Sequence, residues 1–366
     1  MADQMPEVLS DYHRPDVLRA VKPVGLEAVR HRVLEDVTSG ALRTARWEYG
    51  EDNLVDRAES ALSALDANAV DPMLESAVRL TLEEDRFTEA MLRDRTDESL
   101  SEWSAARYPD ATDHELEFAT AVLASHVDEP AGKLVGTEVV VGRIAEVLST
   151  LDLDGWQAIA VDELAARASV NASEKTVKVR RGVAFTEGDV VRLIAHEIGG
   201  HVFRSANAEL QLTPFARLPL GEPVESEEGV AIWAEARLGV LRPPEMRQYA
   251  ARLRAVALSR TEGVLEIARH LVADIGLGPA VDAAIRVKRG LRDPNNPGGI
   301  AKDIGYLRGL LRVRSRLEDE PELVPLIYAT KWSLDHIPLT QHCVERGLLR
   351  LDHLRLPGAT LLGCRS

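Results

Sequence analysis

The stretch "LIAHEIGGHVF", residues 193–203, determines which helix geometry the chain needs at its candidate reactive residues. A His-Glu pair followed by a second histidine is typical of the zinc site of metalloproteases. In the common form, H-E-x-x-H, the histidines are four residues apart, whereas His196 and His201 are five apart. On a regular α-helix, at about 100° per residue, side chains five apart diverge by roughly 140°. The two imidazoles can therefore meet at one metal ion only if the helix widens into a π-type turn or unwinds at its end.

Two glycines, Gly199 and Gly200, lie where that distortion must occur. Each glycine inside a helix costs about 1 kcal/mol relative to alanine. Such a pair is unfavourable in a plain packing helix, but it suits a deformed turn or a close approach of another backbone. We therefore predict a deformed helix at this point.

Short β-branched segments precede the motif in a chain that is otherwise dominated by helical periodicity. The stretches "GWQAIAV" (155–161) and "TVKVRRGVAF" (176–185) predict a small sheet, and Thr186 is placed to cap the helix that carries the motif. Segment 113–126 predicts one of several amphipathic helices, with Asp113 at its N-cap. The sequence therefore predicts a mostly helical α+β fold. Its expected parts are a flexible N-terminus at 1–20, a helical portion at 21–129 and a catalytic portion at 130–366.

Charge and cysteine content exclude several classes of protein. The chain has 59 acidic and 44 basic side chains and a net charge of -15, so non-specific binding to nucleic acid or to an anionic membrane is not expected. An acidic partner would need a local basic patch. Cys343 and Cys364 are too few for a disulfide framework, and no apolar run approaches the roughly 18 residues that cross a bilayer. We expect a protein of the reducing cytoplasm.

A catalytic zinc site needs three protein ligands and an open fourth position. His196 and His201 supply two, and the segment "PVESEEGVAIWAE" (223–235) can supply a glutamate. The same segment is also explained without a metal, since Ser226 can cap a helix and Glu227 and Glu228 can complement its dipole. Glu235 can either form a hydrogen bond to a metal-binding side chain and orient it, or lie on the surface.

Three motifs together resemble the microtubule-associated tyrosine carboxypeptidases and the related QEGLA-motif proteins. They are "AHEIGGHVFRSAN", "SEEGVAIWAE" and "RVKRG" with "GGIAKDIGYLRG", and the resemblance spans about residues 189–309. The resemblance implies a zincin-like core of gluzincin type, with a small sheet beside the HExxxH helix. It implies that His196, His201 and Glu228 bind Zn²⁺ and that Glu197 is the catalytic acid/base. Gly200 and Val230 depart from the threonine and leucine that are usual in the family.

The mechanism implied by the resemblance also needs groups that bind the substrate. Tyr306 is the candidate donor to the oxyanion. A carboxypeptidase must recognise a terminal carboxylate, for which arginine or lysine is the natural partner. The available residues are Arg204, Arg286, Arg289, Lys302 and Arg308. We predict Arg204, Arg289 and Lys302, of which the resemblance favours the last two, and we expect "TVKVRRG" to offer an edge for an extended peptide.

Two other interpretations of the chain stay open. The same zinc site can serve an endopeptidase, and the acids can merely cap helices in a catalytically inert binding module. Other histidine groups are weaker metal candidates. His114-Glu115 lacks a second histidine at ligand spacing, and Pro338 breaks the helical register between His336 and the pair His342-Cys343.

Overall fold

A computed structural model describes the chain at residues 9, 12–50, 57–66, 70–125, 132–162, 164, 166–221 and 223–362. The chain forms two compact units, each made of two segments. The first unit combines Asp3–Val127 with Pro243–Arg308, and the second combines Asp128–Arg242 with Gly309–Ser366. The predicted division into a helical portion up to residue 129 and a catalytic portion from residue 130 stays a prediction. Cys364 lies outside the described residues.

Helices make up the first unit. They are α1 (Val17–Ala20), α2 (Leu26–Ser39), α3 (Ala58–Asp66), α4 (Pro72–Asp94), α5 (Asp97–Arg107), α6 (Asp113–Ala124), α11 (Pro243–Ser259), α12 (Val264–Ile275), α13 (Leu277–Lys288) and a 3₁₀ turn at Ala301–Asp303. The prediction that Asp113 caps α6 is wrong by one residue. Thr112 is the N-cap, because its hydroxyl accepts from the amide of Glu115 while the Glu115 carboxylate accepts from the amide of Thr112.

The second unit mixes helices with two small sheets. Its first segment contains β1 (Leu134–Val135), α7 (Thr137–Thr150), β2 (Gln157–Val161), β3 (Ala168–Asn171), β4 (Thr176–Arg180), β5 (Phe185–Thr186), α8 (Glu187–Leu193), a π-helix (Ile194–Val202), α9 (Phe203–Glu209), a 3₁₀ turn (Pro214–Arg217) and α10 (Pro223–Arg237). Its second segment contains 3₁₀ turns at Pro321–Leu323 and Leu334–His336 with α15 (Val324–Ala329), α16 (Ile337–Glu345) and α17 (Ala359–Leu362). The residues of α14 (Ile304–Asp319) divide between the units.

The fold is mostly helical, with 64% of the residues in helices and small sheets besides, which confirms the α+β prediction at this level. Among the described residues, no helix combines the length and the apolar character that a membrane span requires.

The three-stranded sheet has the order β2-β4-β3, with β2 parallel and β3 antiparallel to β4. Val177 and Val179 of β4 are fully buried on the same face, because alternate strand residues point the same way. The expectation that "TVKVRRG" offers a free edge to a peptide is wrong, since β4 pairs on both sides. The edge strands are β2 and β3, and β3 contacts the π-helix.

The motif "HEIGGH" lies within the π-helix, which continues α8 without a break. Thr186 caps α8, as predicted, by accepting from the amide of Asp189 at 3.1 Å. A π-helix bonds residue i to residue i+5, so residues five apart lie roughly one turn apart. The predicted widening of the helix is confirmed, and it brings His196 and His201 to the same side.

The paired glycines let the π-helix approach its neighbours closely. A Cβ on Gly200 would lie 2.6 Å from Cα of Ala231 in α10, and one on Gly199 would lie 2.8 Å from Cδ2 of Leu361. α10 itself begins at Pro223, so the expected cap role of Ser226 is wrong. The Ser226 hydroxyl instead accepts from the amide of Leu334 at 2.9 Å.

We expect the substitution Gly200→Ala to lower the free energy of unfolding by roughly 1–3 kcal/mol, because the added methyl group overlaps the backbone of α10. Gly142→Ala is the matched control, since Gly142 lies in α7 and a Cβ there meets nothing within 4 Å. The control should gain about 0.5–1 kcal/mol. Urea denaturation of the three proteins measures both changes. Equal stability of Gly200→Ala and the wild type would contradict the close approach.

Candidate metal centre

His196 and His201 face each other from successive turns of the π-helix. Their ring centroids are 5.1 Å apart and their planes are nearly perpendicular, at 78°. Both side chains are largely buried, with 10% and 15% exposed. On an α-helix the five-residue spacing would direct the two histidines to different sides. On a π-helix the same spacing brings them together.

Glu228 of α10 completes the group. Its Oε2 lies 3.6 Å from Nε2 of His196 and 3.9 Å from Nε2 of His201. One ligand atom from each of the three residues lies within 4.8 Å of the other two, so the cluster could hold a metal ion. Within the described part of the chain, this is the one group of three histidine, cysteine, aspartate or glutamate side chains with that geometry. The alternative group at His336, His342 and Cys343 does not form a second one.

Glu235 fixes the orientation of His196. It lies two turns after Glu228 on α10, is fully buried, and its Oε1 is 2.7 Å from Nδ1 of His196. Nη1 of Arg192, on α8, donates to the same oxygen at 3.1 Å. With Nδ1 bound to the carboxylate, Nε2 is the nitrogen left to face a metal. Glu235 is therefore a buried residue that orients the imidazole of His196, and not a surface acid.

Glu227 holds His201 in the same way. Its Oε2 is 3.3 Å from Nδ1 of His201, and its carboxylate also binds Nη1 of Arg204 and Nζ of Lys331. Burial raises the pKa of Glu227, but Arg204, Lys331 and His201 outweigh that effect and hold the pKa well below its ordinary value. This carboxylate is ionised and contacts His201 at Nδ1, which leaves Glu228 as the glutamate that faces Nε2 of both histidines. The two adjacent glutamates therefore contact the histidines at different nitrogens, Glu227 at Nδ1 and Glu228 at Nε2.

The centre has an excess of negative charge around its imidazoles. Burial lowers the pKa of His196, but contacts with Glu228 and Glu235 and the charge of Glu197 outweigh it and raise the pKa to about 10. The imidazole is therefore held where a positive charge is strongly favoured. A divalent cation bound by three of these side chains satisfies the same field.

Glu197 follows His196 directly, so its side chain leaves the helix in another direction. It is 4% exposed, and its charge acts on the imidazole of His196. It is therefore close to the cluster without being one of the three grouped ligands. This placement suits a group that exchanges protons with a reactant at the cluster.

Sequence reasoning missed Tyr328, which supports the widened helix. Its hydroxyl donates to the carbonyl of Gly199 at 3.0 Å, and the side chain is fully buried. The bond satisfies a carbonyl at the glycine pair, where regular α-helical bonding is lost. No local pattern marks this residue, because it lies 129 positions away in sequence.

Arg204 does not occupy the position expected of a substrate-binding residue. It is fully buried, and besides Glu227 its guanidinium donates to the carbonyls of Ile327 at 3.0 Å and Trp332 at 2.7 Å. These contacts favour a role in holding Glu227 over contact with a substrate. The structure places a buried ion pair where the sequence suggested a recognition residue.

The other predicted substrate residues, Arg289, Lys302 and Tyr306, belong to the first unit. Arg289 is buried, while Lys302 and Tyr306 are half-buried. Two of the alternative basic residues pair with carboxylates in this unit. Arg308 binds both oxygens of Glu115, at 2.7 and 2.8 Å, and Arg286 binds both oxygens of Asp303.

One protein family matches this chain over most of its length. The family profile described as microtubule-associated tyrosine carboxypeptidase matches residues 53–357. The match confirms the relationship drawn from the three motifs, and the family is one of carboxypeptidases, which act on proteins or peptides. A search of the curated proteins finds no significant match.

We expect Glu235→Gln to reduce the affinity of the cluster for a divalent metal roughly 10- to 100-fold, because the imidazole of His196 loses its carboxylate partner. Glu225→Gln is the matched control. Glu225 is a buried acid of the same helix, but it pairs with Arg312 instead of a histidine. Competition with a chromogenic chelator measures both affinities. Equal affinities of the two variants would show that Glu235 does not support the ligand.

Proposed function

The chain belongs to the microtubule-associated tyrosine carboxypeptidase family, and on that basis we propose that it is a zinc-dependent peptidase that removes C-terminal residues from a protein or peptide. The observation that carries the proposal is the convergence of His196, His201 and Glu228 beside Glu197. A hydrolytic metal site needs ligands, here two imidazoles and a carboxylate, and a neighbouring acid that does not bind the metal.

The donor set fits zinc. Two imidazoles with one carboxylate are a common ligand set of catalytic zinc sites. Two ligands of a tetrahedral zinc lie about 3.3 Å apart, and the Glu228 oxygen is 3.6 and 3.9 Å from the two imidazole nitrogens. Small side-chain movements close that difference. Glu235 and Glu227, which contact Nδ1 of the two histidines, are the outer partners that such ligands usually have.

The chain's own residues supply the proton transfers. His196, His201 and Glu228 would hold the zinc ion, which would supply polarisation of the scissile carbonyl and a lowered pKa of water. Glu197 takes a proton from the attacking water and passes it to the leaving amine. The peptide C–N bond breaks, the carbonyl carbon gains the hydroxyl group, and the amine leaves with the proton. Glu197 can do this because it is near the cluster but points away from the ligand position of His196.

We further propose residues that bind the substrate, on the strength of the family resemblance. Tyr306 is the proposed donor to the oxyanion, and Arg289 and Lys302 are the proposed partners of the terminal carboxylate. In this proposal Arg204 does not contact the substrate, because its N–H groups donate to buried carbonyl groups of the chain. It holds Glu227, which orients His201. We further propose that α8, the π-helix, α10 and the small sheet form a gluzincin-type core, in which β3 is the edge nearest to the π-helix.

The first test is metal content. We expect the purified protein to hold about one equivalent of zinc, and His196→Ala to lose it, because two remaining ligands bind zinc weakly. Elemental analysis after extensive dialysis measures both. The control is His342→Ala, which removes a histidine that belongs to no metal cluster among the described residues. Less than about half an equivalent in the wild type, unchanged in His196→Ala, would disprove the metal site and favour an inert binding module.

The second test separates binding of the metal from catalysis. We expect Glu197→Gln to keep its zinc and to lose essentially all turnover, because the amide cannot accept the proton of water. Mass spectrometry of a peptide library incubated with wild type and variant reads out the products. Loss of residues one at a time from C-termini supports the exopeptidase, and internal cleavage favours an endopeptidase at the same site. Normal digestion by Glu197→Gln would show that another group is the base.

A further inference from the structure

A strap of chain, residues 355–362, contacts three helices around the metal centre of the second unit. Asn207 of α9 binds the first residue of the strap twice: its side-chain amide donates to the carbonyl of Arg355 at 2.9 Å, and its side-chain oxygen accepts from the amide of Arg355 at 2.8 Å. Nε of Arg237, in α10, donates to the carbonyl of Pro357 at 3.3 Å. The strap ends with α17, which packs against the π-helix. The strap is therefore attached to all three helices.

Leu361 is the residue of the strap that lies against the paired glycines of the π-helix. Its side chain is 1% exposed and belongs to the hydrophobic core of this unit. A Cβ on Gly199 would lie 2.8 Å from Cδ2 of Leu361. The next nearest atoms, the Cβ atoms of Ala234 and Pro357, would be 3.7 Å away, which is an ordinary van der Waals distance. Leu361 thus fills the space that a side chain on Gly199 would need.

Tyr328 holds the same glycine from a second direction. Its hydroxyl donates to the carbonyl of Gly199 at 3.0 Å. Asn207, which binds the strap, also donates to the carbonyl of Tyr328 at 3.1 Å. Asn207 and Tyr328 are both fully buried. The strap, Tyr328 and the π-helix are thus packed together, and their contacts meet at Gly199.

Gly199 lies between the two histidines of the candidate centre, after His196 and before His201. Because π-helices are rare, the surrounding structure must favour this one over a regular α-helix. If the helix returned to the α-helical pattern, His201 would diverge from His196 by roughly 140°. Contacts at Gly199 therefore act on the relative position of the two imidazoles, whose ring centroids are 5.1 Å apart.

We propose that Leu361 is a positioning residue of the metal centre. Packed against Gly199, it holds the π-helix in the widened form that presents both histidines to one metal ion. The inference rests on the proposed function, in which these histidines bind zinc. It goes beyond the family relationship, since the family profile matches residues 53–357 and Leu361 follows that range. Leu361 acts through Gly199 and needs no contact with the metal.

The first test is the zinc affinity of full-length variants, measured by competition with a chromogenic chelator. We expect Leu361→Ala to bind zinc at least about tenfold more weakly than the wild type, because the cavity left at Gly199 lets the helix relax towards the α-helical form. Leu361→Met keeps most of the side-chain volume and should stay within about threefold of the wild type. Thermal unfolding establishes that each variant is folded at the temperature of the assay.

Leu323→Ala is the matched control for a lost core leucine. Leu323 is 2% exposed, belongs to the same hydrophobic core, and lies in the 3₁₀ turn Pro321–Leu323. The control should lose stability much as Leu361→Ala does, but it should retain the zinc affinity of the wild type. An equal loss of zinc affinity in both variants, or in neither, would overturn the proposal.

A second substitution tests the contact itself. In the wild-type background, Gly199→Ala should weaken zinc binding, because the new methyl group displaces the end of the Leu361 side chain. In the Leu361→Ala background, the same substitution should recover about threefold or more of the lost affinity, because the methyl group fills part of the vacated space. An equal fold-change in both backgrounds would show that the two positions act independently, which contradicts the proposed contact.

Failure of this inference and failure of the proposed function give different results. Zinc binding that is unchanged in Leu361→Ala overturns the inference and leaves the zinc site intact. If the wild type holds no zinc, the proposed function fails, and NMR of the metal-free proteins decides the inference. A nuclear Overhauser effect between the ring protons of His196 and His201 that is present in the wild type and lost in Leu361→Ala retains the positioning role. The same signal in both proteins, or in neither, overturns it.

Discussion

The five-residue separation of two histidines is the constraint on which the second unit depends. Because a regular α-helix would direct His196 and His201 to different sides, the chain must widen into a π-helix at that place. Widening disturbs the backbone bonding, and a distant tyrosine hydroxyl compensates at Gly199. It also requires α10 to press closely on the helix, which only glycine permits at Gly200. One spacing in the sequence thus accounts for several features that otherwise look unrelated.

The interior around the histidines is organised by alternating charges. Each imidazole has a glutamate at Nδ1, and each glutamate is bound in turn by a buried cation: Glu235 by Arg192 and Glu227 by Arg204. A buried carboxylate is costly unless it is paired, and breaking one pair leaves the other charge uncompensated. The arrangement therefore fixes the rings as a unit and ties α8, α9 and α10 to the same centre.

Local patterns in the sequence predicted the widened helix, the strands at 157–161 and 176–180, and the cap at Thr186. They failed where the answer depends on partners far away in the chain. Arg204 reads as a substrate residue because nothing nearby neutralises it, yet its carbonyl partners lie more than 120 positions later. Glu227 and Glu228 are indistinguishable by propensity. Only tertiary contacts separate the glutamate that holds a histidine from the one that faces both imidazole nitrogens.

Net charge is also a poor guide to the local distribution of charge. A chain at -15 repels acidic peptides at a distance, but that repulsion is screened beyond about 8 Å at physiological ionic strength. At short range individual side chains determine the local field, and around Tyr306 these are arginine and lysine. The half-buried setting there weakens screening and strengthens each pair. A net acidic chain and a local concentration of positive charge are therefore compatible, because their fields dominate at different distances.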